Sequence, residues 1–152
     1  GTAMAMVLTI ILSVHSLVGG LALGVQADKP RAFLILVAIL SHKWVEALSL
    51  GINIVRATNR LDVMVRLLVV FASSSPLGVF LGWTMRTGLA ENQAGFAAAC
   101  LNGVASGTFM YIAIMDSLSH EFETARGKHG KFASLLLGFG GMALLTTSMH
   151  AH

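Results

Sequence analysis

The chain is poor in charge. Of its 152 residues only 11% are Asp, Glu, Lys or Arg, against about 25% in an ordinary soluble domain. Hydrophobic residues make up 55%, and the mean hydropathy is +0.78. There is one cysteine, Cys100. That excludes an intramolecular disulfide and any zinc site built from several thiolates; inside an apolar run it reads as a small packing residue. No basic segment precedes the first apolar run, which starts by Ala3, so nothing resembles a secretory signal peptide. The chain opens on Gly1 and reads as a piece beginning at a helix edge. The net charge of +3 points to no nucleic acid, because the basic residues sit in short loops between apolar runs, where they set membrane topology. No nucleophile–base constellation appears, so neither an enzyme nor a prosthetic group is expected.

What remains is long apolar runs. A helix needs roughly 20 mainly apolar residues to cross about 30 Å of hydrocarbon. Five segments qualify, at about 3–26, 32–55, 64–85, 93–118 and 132–149. They leave little sequence for a soluble domain. The expected fold is all-α, a polytopic helical membrane domain over 1–152. The loops 56–66 and 120–131 carry Arg56, Arg60, Arg66, Arg126, Lys128 and Lys131, while the opposite side carries Lys29, Arg31 and Arg86. Six against three places the first two loops in the cytosol and the C-terminus away from it.

Small residues recur four apart, as Gly20/Gly24, Gly78/Gly82 and Gly103/Gly107. In lipid such faces let helices approach closely. Pro76 interrupts the third segment in "SSSPLG", where it frees a carbonyl and bends the helix. The three preceding serines have two uses: satisfying freed backbone groups or lining a polar path.

Ionisable residues in a span are costly and, by default, functional candidates facing the bundle interior. Segment one holds His15 and Ser16; segment two, in "SHKWVEALSLG", holds His42, Lys43 and Glu46. His42 and Glu46 are four apart and share a helix face. An imidazole and a carboxylate on one face can ligate a divalent cation such as Zn²⁺, Fe²⁺ or Mn²⁺, and His15 on a neighbouring helix can complete the set. The competing reading is structural: membrane histidines bond across helix interfaces, and Glu46 can pair with Lys43. An ammonium cannot ligate a metal and repels one, so Lys43 indicates one ion, not two. In segment four, Asn102 reads as a cross-helix or path-lining group and Asp116 as interfacial. His120, Glu121, Glu123 and His129 read as a solvated loop, and His150 and His152 as weaker still.

At these residues the chain resembles the ZIP family of zinc and iron permeases. "HSLVGGLALGVQ" (15–26) is similar to that family's fourth helix, "HKWVEALSLG" (42–51) to its fifth, "SSSPLGVFLG" (73–82) to its sixth and "LNGVASGTFMYIAIMDSLSHEF" (101–122) to its seventh. The form most like this one is the plant, fungal and protist type, with Gly19 where other branches place glutamate. The resemblance implies an eight-helix fold of which this chain carries helices four to eight. It implies a transport site at His15, His42 and Glu46, with Ser16, Lys43 and Ser75 at the positions of a second metal in binuclear members. It also implies a homodimer that moves by alternating access in the plasma membrane or an organelle membrane.

The expected function is transport of Zn²⁺ and/or Fe²⁺, with Mn²⁺ a further candidate, into the cytosol through the His/Glu site. Two other readings stay open on the sequence. His15 and His42 can be axial ligands of a haem in an electron carrier, or the polar residues can serve packing alone in a membrane scaffold.

Overall fold

The computed structural model describes residues 2–114 and 127–150, and for residues 91, 92, 128, 142, 145, 146 and 148–150 only the backbone. The described elements are helices: α1 (Thr2–Val25), α2 (Lys29–Ala57), α3 (Leu61–Thr87), α4 (Glu91–Tyr111) and α5 (Lys128–His150). They run from 21 to 29 residues, long enough at about 1.5 Å per residue to cross some 30 Å of hydrocarbon. Among the described residues four stretches combine that length with enough apolar character to span a membrane: Thr2–Val25, Lys29–Ala57, Leu61–Thr87 and Gln93–Ile114. The expected all-α class holds. The chain forms two compact units, 1–106 and 107–152, and His15, His42, Lys43 and Glu46 lie in the first.

Chain punctuation accounts for the breaks. Pro30 sits in the first turn of α2 behind Asp28 in extended backbone, where a missing N–H costs nothing. Asp28 pairs with Arg31 at 3.3 Å. Arg56 lies in the last turn of α2, at the negative end of the helix dipole. Arg60 and Arg66 both reach Asp62 at the start of α3, at 3.4 and 3.7 Å.

Helix α1 is the centre of the first unit, packing most extensively on α3 and also against α2. The contact with α3 is backbone against backbone. A β-carbon added at Gly20 would meet the Ser75 backbone closer than any real contact and crowd Gly78 and Val79, and one at Gly24 would meet Val79 and Trp83 closer than any real contact. From the other side, Gly78 faces Leu17 and Gly20, and Gly82 faces Leu21 and Gly24. The pairing Gly20–Gly78 and Gly24–Gly82 makes α1 and α3 parallel. Thr2 Oγ1 donates to the Ala57 carbonyl at 3.3 Å, so α2 runs antiparallel to both. The third expected pair, Gly103 and Gly107, has open space around both positions.

Polarity is arranged inside out relative to a soluble domain. Thr9, Ser13, His15, Ser16, Glu46 and Ser74 are buried, while Phe33, Leu40, Trp44, Phe80, Trp83 and Phe96 are exposed. In water so large an apolar surface would drive aggregation; in a membrane protein such a surface suits lipid or further helices. A smaller apolar cluster joins Val25 to Ala94 and Ala98 at the start of α4.

Pro76 lies inside α3. Ser73 and Ser74 both donate to the Val70 carbonyl, at 3.0 and 2.8 Å, bonding back along their own helix. Ser75 instead crosses to α1 and donates to the Ser16 carbonyl at 3.4 Å. Neither Ser73 nor Ser74 bonds the Ala72 carbonyl that Pro76 frees; Ser75 is the one of the three that reaches the cavity between the helices.

Candidate metal centre

The periodicity of α2 puts His42, Lys43 and Glu46 within one turn, the first four and the second three residues before the carboxylate. Close approach of α1 brings His15 and Ser16 onto the same spot, and α3 supplies Ser75. Together with Gly19 and Ile39 these residues line a cavity of about 20 Å³. That is room for one water or one bare cation.

Glu46 is the hub. Its Oε1 lies 3.3 Å from His15 Nε2 and 3.6 Å from His42 Nε2. Its Oε2 lies 3.5 Å from Lys43 Nζ. Lys43 also donates a hydrogen bond to Ser16 Oγ. The imidazole rings tilt at 48° with centroids 6.4 Å apart. Glu46 and His15 are buried, and His42 is partly exposed, at 29% of its side chain.

Two features fit a cation. Glu46 Oε1 is buried with two imidazole nitrogens beside it. A carboxylate at such depth needs partners for its charge in a medium without water. Donor atoms of His15, His42 and Glu46 all lie within 4.8 Å of one another. Ligand atoms about 2.0–2.1 Å from a tetrahedral ion stand roughly 3.4 Å apart, so the 3.3 and 3.6 Å separations already match two edges of such a polyhedron. The donors are two imidazoles and a carboxylate, a set suited to Zn²⁺ or Fe²⁺.

The chain matches the family model for ZIP zinc transporters over residues 1–146. The chain belongs to the ZIP zinc transporter family. Among similar proteins, zinc transporter ZIP1 of Bos taurus is 37% identical over 145 residues, covering 93% of this chain and 43% of that protein. Zinc transporter ZIP2 of Mus musculus is 32% identical, covering 95% and 47%. Protein zntD of Dictyostelium discoideum is 37% identical over 147 residues, covering 91% and 21%. The chain thus spans less than half the length of these relatives. No solved structure matches it. ZIP membership together with the four apolar helices makes this a multi-pass membrane protein.

The residues that carry the resemblance fall where the helices converge. The structure gathers six of the seven residues singled out from the sequence: His15, His42 and Glu46, with Ser16, Lys43 and Ser75 around them. Asn102, on α4, does not line this cavity. Asp116, His120, Glu121 and Glu123 lie outside the described residues, as does His152. His129 stands at the exposed start of α5. Phe71, buried on α3, holds its ring 4.1 Å from Lys43 Nζ. Nothing in the spacing of "VVFASSSP" marks it, because the contact depends on how α3 packs beside α2.

Proposed function

We propose that this chain carries the ion-binding half of a transporter that moves a divalent transition-metal cation, zinc first, across a membrane into the cytosol. The observation that carries the reading is the convergence of the buried Glu46 Oε1 with two imidazole nitrogens, 3.3 and 3.6 Å away. The names of its relatives, zinc transporters ZIP1 and ZIP2, support zinc as the cargo. The same donor set accepts Fe²⁺ and Mn²⁺ with altered geometry.

In this reading the cation sheds water at the mouth of the site and replaces it with His15 Nε2, His42 Nε2 and Glu46 Oε1. His42, the most exposed of the three, meets the ion first; Glu46 and His15 complete its shell at depth. The ligands bind in their deprotonated forms, so protons compete with the cargo. Neutral imidazoles, one carboxylate and the neighbouring Lys43 ammonium sum to zero, so a bound divalent ion leaves two net positive charges, which opposes tight retention. A change of access, in a homodimeric full-length protein, then delivers the ion to cytosolic ligands. No covalent step is required, and no residue acts as a nucleophile. A haem reading needs a slot for a macrocycle between His15 and His42, and a cavity of about 20 Å³ offers none.

The test is uptake of ⁶⁵Zn and ⁵⁵Fe by cells expressing the full-length protein, with and without Glu46→Ala. Saturable uptake that disappears in a correctly inserted variant supports the site. Undiminished uptake in the variant overturns it.

A further inference from the structure

We propose that Lys43 and Phe71 form a clamp that keeps Glu46 a one-oxygen ligand, restricting the site to a single, small, four-coordinate cation. This rests on the reading of His15, His42 and Glu46 as the cargo site and specifies what that site selects.

The two oxygens of Glu46 have different surroundings. Oε1 faces His15 and His42. Oε2 faces the Lys43 ammonium, 3.5 Å away. The ammonium is itself held from three helices: Ser16 Oγ on α1 accepts its hydrogen bond, Glu46 on α2 pairs with it, and the Phe71 ring on α3 lies 4.1 Å beneath it. A cation over an aromatic face is attracted by the ring quadrupole, more so when desolvated. Phe71 is only 3% exposed, so neighbouring atoms pack around the ring. Lysine ordinarily has a flexible stem and rotatable donors; here the three partners fix its head.

Two consequences follow. With Oε2 engaged, a cation between the imidazoles receives two nitrogens and one oxygen and keeps one open position. Four-coordination of this kind suits zinc, whereas Mn²⁺ prefers six oxygen-rich ligands and gains from a carboxylate that gives both oxygens. The ammonium also stands at the cavity wall, where it repels a second ion. Groups that orient a metal ligand commonly change affinity 10–100-fold when altered.

The experiment uses the purified full-length protein loaded with Zn²⁺ or Mn²⁺ alone, comparing wild type with Lys43→Met, Phe71→Leu and Glu46→Gln. Infrared difference spectra report the separation between antisymmetric and symmetric carboxylate stretches, which is wide for one-oxygen and narrow for two-oxygen ligation. Competition binding reports Zn²⁺ against Mn²⁺. The expected result is a wide separation in wild type that narrows in Lys43→Met and in Phe71→Leu, with Mn²⁺ gaining on Zn²⁺ by about tenfold. Phe71 does not line the cavity, so a purely structural role would lower thermal stability without moving the stretches. A wide separation and unchanged Zn²⁺/Mn²⁺ ratio in either folded variant overturn the clamp, and Lys43→Met decides if Phe71→Leu does not fold. A zinc-induced carboxylate signal that is missing in wild type, or persists in Glu46→Gln, overturns the cargo site itself and the clamp with it.

Discussion

Gly20 of α1 and Gly78 of α3 touch through their backbones: a β-carbon at either would sit within 3.1 Å of the other's α-carbon. Ser75, three residues before Gly78, reaches the cavity because of this contact. Bringing the α1 and α3 axes together is therefore part of building the site, and adding atoms at the contact forces the helices apart. Overpacking of this kind costs about 1–3 kcal/mol. Gly78→Val is expected to lower the thermal denaturation midpoint in detergent and to weaken zinc binding. Gly51→Ala, where a β-carbon meets nothing within 4 Å, is expected to be neutral or slightly stabilising, since alanine favours a helix interior over glycine by about 0.5–1 kcal/mol.

His42→Ala removes a proposed ligand that is partly exposed and whose loss leaves the buried His15–Glu46 pair in place. Zinc uptake is expected to fall by at least about tenfold while insertion and denaturation midpoint stay near wild type. Loss of a properly inserted protein would instead mark His42 as structural. The measurement is initial uptake rate alongside surface expression.

Glu46→Ala acts differently, because it strips Lys43 of its carboxylate at depth. Removing one partner of a buried pair costs about 3–5 kcal/mol. This variant should lose both uptake and stability, whereas Glu46→Gln, which retains the shape, should lose uptake with a smaller stability change. Denaturation scans of the two variants in parallel distinguish the effects.

Acid should weaken zinc binding. The ligating forms are neutral imidazole and carboxylate, so binding an ion releases any protons held there. Lowering the pH raises the protonated fraction and the apparent dissociation constant; raising it does the reverse until the ligands are fully deprotonated. Titration of zinc affinity against pH checks the sign.

Val45 lies near the middle of α2 and is about half exposed, at 48%. If that face meets lipid, Val45→Arg should cost roughly 2.5–3.5 kcal/mol of insertion free energy. A glycosylation-based insertion assay should show α2 failing to integrate. Normal insertion would mean that the face is covered by protein or water.

Much of this architecture is legible in the chain itself. Apolar runs of spanning length give helices because the backbone must satisfy its own hydrogen bonds in lipid. The helical period puts His42 and Glu46 on one face with no further information, and the placement of Pro30 and Asp28 marks where α2 starts. The same period makes glycines four apart a packing stripe, and for Gly20/Gly24 and Gly78/Gly82 the stripe is used; at Gly103 and Gly107 open space surrounds both glycines, so the pattern alone does not identify a contact.

Tertiary structure decided everything that joins one helix to another. Sequence spacing carries no measure of rotation or depth between α1, α2 and α3, so it could not place His15 Nε2 3.3 Å from Glu46, send Ser75 to Ser16 while Ser73 and Ser74 bond back to Val70, or set Phe71 under Lys43. Those outcomes depend on the glycine contact that fixes the separation of two helices and on side chains that meet only once it is made. The helices and their polar faces were written locally; the division of Glu46 into one oxygen for imidazoles and one for an ammonium exists only where three helices converge.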